Sequence, residues 1–212
     1  MPEKRPATVY VDAFNLYYGA RDSCDPIGVP FRWLDLKRLF EIVVPEAEIE
    51  RIRYFTANLK PHDSAKARRQ RAYLRALRTI EELTIHKGEY RQDIVSMPLS
   101  DGSGMADVVK NEEKGSDVNL ATYLMLDALV DGSTPLAIVV SNDSDLRRPI
   151  QIVVERGLEV GVLNPHVTYP LGVFRTVASW VRPIRPGAYG AAQLPPNVPT
   201  GNGEHVTKPG GW

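Results

Sequence analysis

The sequence predicts an α/β domain whose mostly parallel sheet is covered by helices on both faces. Short β-branched and aromatic runs alternate with helical segments of the length that βαβ crossovers need, and no repeat of solenoid period interrupts them. The first run, residues 7–12 (ATVYVD), ends in a carboxylate. An apolar stripe of Leu34, Leu36, Leu39, Phe40 and Val43 stops before Pro45, and a second strand-like run follows at residues 49–57. Residues 101–106 (DGSGMA) read as a loop. Leu120, Leu124, Ala128 and Leu129 mark a helix from 117 to 130, and residues 136–141 (LAIVVS) a further strand. Ile150, Val153 and Val154 lie on a helix that stops at Gly157, and residues 158–163 complete the series.

The chain has 212 residues, enough for one domain with a substantial core. No apolar run reaches the roughly 18–20 residues of a membrane span, and no apolar core follows the charged N-terminus, so a cytoplasmic protein is expected. Cys24 is the single cysteine, which excludes an internal disulfide and a Cys-based zinc site. The 26 Lys and Arg balance 26 Asp and Glu, so any attraction to nucleic acid must come from local patches. Residues 183–212 contain 6 Pro and 6 Gly, a texture that predicts a disordered tail after a domain spanning 1–182.

In an open parallel sheet, ligands bind beyond the carboxyl ends of the strands. Three such places carry Asp: Asp12 closes the first strand, Asp143 and Asp145 follow the 136–141 strand, and Asp117 opens the helix after it is announced by Gly115 and Ser116. Each has a plainer reading. Ser116, Asp117 and Asp145 suit helix N-caps, and a lone Asp at a strand end suits a turn. Taken together, four carboxylates converging on one crevice would repel one another by several kcal/mol unless a cation neutralised them. Hard oxygen donors of this kind suit Mg²⁺ or Mn²⁺.

Residues 9–19 (VYVDAFNLYYG), 112–128 (EEKGSDVNLATYLMLDA) and 139–150 (VVSNDSDLRRPI) resemble, in this order, the motifs of NYN domains, a branch of the PIN-like nuclease superfamily. The resemblance runs from about residue 8 to about 165. It implies a three-layer α/β/α fold and metal-dependent cleavage of nucleic acid, RNA above all. By position, Asp12, Asp117, Asp143 and Asp145 correspond to the acidic metal-site residues and Asn15 to the polar residue beside them. Asp12 and Asp143 are then expected as direct ligands, with Asp117 and Asp145 acting through water, and Asn15 as a contact to phosphate or to Asp12. The expected products carry 5′-phosphate and 3′-hydroxyl ends. Two positions depart from the pattern: Asn142 stands where many members have Gly, and Tyr123 where others have a further carboxylate. Asp127, a turn beyond Tyr123, lies too far along the helix to replace it.

Nine basic residues and one acid, Asp63, lie between Arg51 and Arg78. Arg68, Arg71, Arg75 and Arg78 recur at helical spacing, while Tyr73, Leu77 and Ile80 fall on the other face. The stripe reads either as a solvated surface or as a track for phosphates, to which Lys110 and Lys114 would add. Tyr17 and Tyr18 suit base stacking or the core. His62, His86, His166 and His205 stand outside the motifs and read as surface or structural. Among rivals, a haloacid-dehalogenase-type phosphatase needs a second Asp where Phe14 stands, and residues 102–104 lack the third Gly and preceding strand of a dinucleotide loop. A non-catalytic RNA- or protein-binding domain is the alternative of a different class.

Overall fold

The computed structural model describes residues 4–59, 64–166, 172–201, 203–210 and 212; Lys60, His62 and Asp63 lie outside them. In chain order, β1 (Arg5–Asp12) leads into α1 (Ala13–Cys24) and α2 (Leu36–Val43), and β2 (Ala47–Ala57) precedes α3 (Ala65–Leu77). Then come β3 (Leu83–Pro98), β4 (Met105–Lys114), α4 (Ser116–Met125), β5 (Leu136–Val140), α5 (Arg147–Glu155), β6 (Glu159–Asn164), α6 (Gly172–Arg175) and β7 (Trp180–Pro183). The chain closes with α7 (Pro186–Ala191) and the pair β8 (Asn197–Thr200) and β9 (Glu204–Thr207).

The main sheet runs β4-β3-β2-β1-β5-β6-β7 and is parallel except for β4. Because β1 pairs β2 on one side and β5 on the other, the strand order reverses beside β1, and a crevice opens at its carboxyl end. β5 is buried along its whole length, as its unbroken apolar sequence requires of a strand covered on both faces. Side-chain alternation divides the core in two. Val9, Val11, Ile52, Ile138 and Val140 face α1, α2, α3 and α7, whereas Tyr10, Phe55, Val139 and Val162 face α4, α5 and α6. No described helix is long and apolar enough to cross a membrane.

One charged link joins the layers. Asp127, fully buried in the π-helical turn that extends α4, accepts from Arg53 Nε at 2.6 Å and Nη2 at 2.7 Å and from the Tyr10 hydroxyl at 2.9 Å. This ties the helix to β1 and β2, and it confirms that Asp127 turns away from the strand ends. The wide turn also ends the regular α-helix at Met125, short of the single helix to 130 that periodicity predicts.

Residues 101–104 are a loop, as expected, but the loop joins β3 and β4 in an antiparallel ribbon that sequence reading did not foresee, whose cross-strand pairs Ile94/Val109 and Val95/Val108 leave Ile94 74% and Val109 58% exposed. One feature was misjudged. The segment 183–212 is no disordered tail where it is described. Leu194 N donates to Trp33 O at 2.8 Å and Asp35 N to Ala192 O at 2.9 Å, while Tyr189, Leu194, Val198 and Val206 are buried in the α1–α3 side of the core. Trp212 packs edge-on against Trp33 and Tyr73. Composition counted the Pro and Gly residues but not the anchors spaced between them. Each anchor enters a groove already built by the domain, and Pro lowers the entropy the free segment has to lose.

Tyr189→Ala is therefore expected to lower the unfolding free energy by about 3–5 kcal/mol in urea titrations, the range for emptying a buried aromatic site. An unchanged midpoint would mean the segment contributes no packing.

Candidate active site

The acidic residues sit where three chain ends meet at the β1/β5 reversal. Asp12 is the last residue of β1 and the N-cap of α1, its Oδ1 accepting from Asn15 N at 3.0 Å. Asp143 caps the short 3₁₀ turn Ser144–Leu146 by accepting from Asp145 N at 3.0 Å. The capping roles thus belong to Asp12 and Asp143 rather than to Ser116, Asp117 or Asp145. Asp117 stands in the first turn of α4, whose N-cap is Gly115 at φ +90°, a backbone that a side chain disfavours. Gly88 lets this turn approach β3, since a Cβ there would lie 2.7 Å from Lys114 O and 2.9 Å from Ser116 Oγ.

Ser141, buried at the end of β5, joins the Asp12 carboxylate to the Asp143 backbone: its Oγ donates to Asp12 Oδ2 at 3.0 Å and accepts from Asp143 N at 3.0 Å. Sequence reading passed it over as the last residue of a strand; the signal was a hydroxyl at a buried strand end, two residues before an Asp. Asn15 Oδ1 accepts from Asn142 N at 2.8 Å, so this side chain pins the loop that carries Asp143 and Asp145. The side chain does not reach Asp12, to which Asn15 donates through its backbone.

Burial pushes the Asp12 carboxyl up to about 6, with the Asp117 and Asp143 charges adding to the rise and the Asn15 and Ser141 hydrogen bonds opposing it. Asp117 is likewise raised, first by burial and then by Asp143 and Asp145. Asp12 and Asp117 therefore both lie within range of neighbouring carboxylates. The all-oxygen donor set fits a hard divalent ion, although among the described residues no three His, Cys, Asp or Glu side chains close on a common point.

Around this cleft the remaining candidates divide. Arg68, Arg71 and Arg75 of α3 and Arg78 at its end are exposed along one face, while Tyr73 and Leu77 are buried and Ile80 packs partly against the core. Lys114 adjoins Gly115 at the start of α4, whereas Lys110 is four residues up the ribbon, about 13 Å away along the strand. Tyr17 and Tyr18 are 38% and 44% exposed on α1, and so are not core. His86 is half-buried, stacked on Phe55 with centroids 4.9 Å apart and lying 4.3 Å from the Tyr123 ring. Burial and the neighbouring Arg53 hold its pKa down. Tyr123, in the position of the missing carboxylate, carries the Arg53 guanidinium 4.5 Å above its ring, so that place is aromatic here. His205 is exposed on β9 and His166 is half-buried after β6.

The Asp12 shift has a definite sign. A carboxyl whose folded pKa lies above its unfolded value binds its proton more tightly when folded, so stability falls as pH rises from 3.8 to about 6 and stays lower beyond. In EDTA, Asp12→Asn, which keeps a capping oxygen, is expected to stabilise the protein by about 3 kcal/mol at pH 7.5 and by little at pH 4. Denaturant titrations at both values check this; equal effects at the two would refute the assignment.

The family model of the NYN domain matches residues 6–171. A 6-hydroxy-3-succinoylpyridine 3-monooxygenase of Pseudomonas putida is 28% identical over 241 aligned positions, covering 96% of this chain and 74% of that protein. A crystal structure of a Vibrio parahaemolyticus protein of unknown function superposes with a TM-score of 0.53 at 18% identity, over 87% of this chain and 95% of that one, a likeness of fold alone. With three motif blocks, the reversal of strand order beside β1 and a match over most of its length, the chain belongs to the NYN domain family.

Proposed function

We propose that the protein is a metal-dependent nuclease that hydrolyses phosphodiester bonds, with RNA the favoured substrate. One observation carries the reading: Asp12 is desolvated at the sheet's reversal point within range of the Asp117 and Asp143 charges, and Asp117 within range of Asp143 and Asp145. A binding surface has no need of that repulsion. These four carboxylates would hold Mg²⁺ or Mn²⁺, which when bound supplies an acidified water and positive charge facing the phosphoryl oxygens. The chain's own contribution is placement. Ser141 and Asn15 fix the spacing of Asp12 and the 142–145 loop, while the arginines of α3 supply sequence-independent affinity for the backbone. Family membership supports nuclease chemistry in general.

The test incubates the protein and its Asp143→Asn variant with labelled single-stranded RNA, duplex RNA and single-stranded DNA, with Mg²⁺, Mn²⁺ or EDTA. Cleavage in either metal, none in EDTA and a loss on the order of 100-fold in the variant are expected. Products ending in 2′,3′-cyclic phosphate would overturn the mechanism. Salt-sensitive RNA binding without cutting would favour the regulatory alternative. Oxygen-dependent consumption of 6-hydroxy-3-succinoylpyridine would instead favour the activity named for the Pseudomonas relative.

A further inference from the structure

We propose that a cavity between α3, the carboxyl end of β2 and Lys87 of β3 is a phosphate-binding subsite, lined by Arg71, Arg75, Arg78 and Lys87. The concavity has a volume of about 210 Å³, and its lining carries four cationic side chains and no carboxylate. Its wall is built rather than incidental: Gln70 donates to Ala57 O at 2.8 Å and accepts from Leu59 N at 3.0 Å, clamping α3 to the end of β2. Arg78 and Lys87 have no ion-pair partner among the described residues, and Arg75 meets only Glu204, itself 72% exposed, at 3.7 Å. Like charges held around one cavity repel, and a polyanionic group removes that repulsion while gaining several charge-assisted hydrogen bonds. Phosphate fits the arginines' forked donors and the compact lysine ammonium together.

The position gives the subsite a role in the proposed reaction, on which the identity of its ligand rests. Lys87 pairs with Thr56 in β2, and Phe55 pairs with Asp12, so the cavity flanks the same edge of the sheet two strands from the acidic cleft. That is a lateral offset of about 10 Å. A nucleic-acid strand seated with one phosphate in the cavity thus brings a nearby phosphodiester of the same strand to the carboxylates. The ligand is either a terminal phosphate or an internal one.

Binding in EDTA, where no cutting intervenes, tests the subsite. Labelled single-stranded RNAs bearing a 5′-phosphate or a 5′-hydroxyl are titrated against the full chain and its R78Q/K87Q variant, both shown to be folded by thermal unfolding. At least a tenfold loss of affinity, with a flatter dependence on salt, is expected of the variant. A preference for the 5′-phosphate that the variant loses assigns the cavity to a chain end; equal binding of both RNAs with the same loss assigns it to an internal phosphate. Unchanged affinity and salt slope overturn the subsite. Calorimetric titration with inorganic pyrophosphate separates this from the nuclease reading. Pyrophosphate bound by the parent and not the variant, with no RNA bound by either, keeps the subsite and removes nucleic acid as its ligand. RNA cut equally by both, with pyrophosphate bound by neither, keeps the nuclease and removes the subsite. If the double variant unfolds, K87Q alone is expected to weaken binding about threefold, and no weakening overturns the proposal.

Discussion

Asp12 closes the central strand with its carboxyl buried within range of two other carboxylates, and much of the structure serves to hold it there. A desolvated anion beside like charges stays ionised only if donors face it, and Asn15 N and Ser141 Oγ supply them. The same two residues reach the loop after β5, so the groups that make Asp12 tolerable also set its separation from Asp143. Placement and electrostatics are one construction: the apolar strands β1 and β5 must lie side by side, buried on both faces, for these ends to meet.

A second buried charge stabilises the frame rather than the cleft. Asp127 brings a carboxylate into the α4 side of the core, where Arg53 and Tyr10 satisfy both its oxygens. Removing one partner of such a pair typically costs about 3–5 kcal/mol, because the other is left charged and dry. Its effect here is orientation. With the far end of α4 anchored to β1 and β2, and the near end pressed against Gly88, the first turn has no freedom to carry Asp117 away.

The parts of the sequence that reveal the fold are those where one residue type has one physical use. Unbroken apolar runs such as 136–140 mark central parallel strands, and Asp at their ends marks the crevice. Strand and helix ends singled out Asp12, Asp117, Asp143 and Asp145, and motif resemblance then gave them a common expected role. What stayed hidden depends on partners distant in sequence. Ser141 has meaning only once Asp12 lies across the strand boundary, 129 residues away. Tyr189 and Trp212 look like isolated aromatics in a Pro/Gly segment until Trp33 and Tyr73 give them a groove. Lys87 reads as one more surface lysine until strand pairing sets it opposite α3.

The central claim is that the acidic cleft is built for a divalent cation. Thermal unfolding of the metal-free protein followed against increasing Mn²⁺ tests it most directly, since an ion bound only by the folded chain raises the midpoint with the logarithm of its concentration. The account predicts that rise for the parent and its loss in both Asp12→Asn and Asp143→Asn. A midpoint that ignores Mn²⁺, or that rises equally in all three proteins, would contradict it.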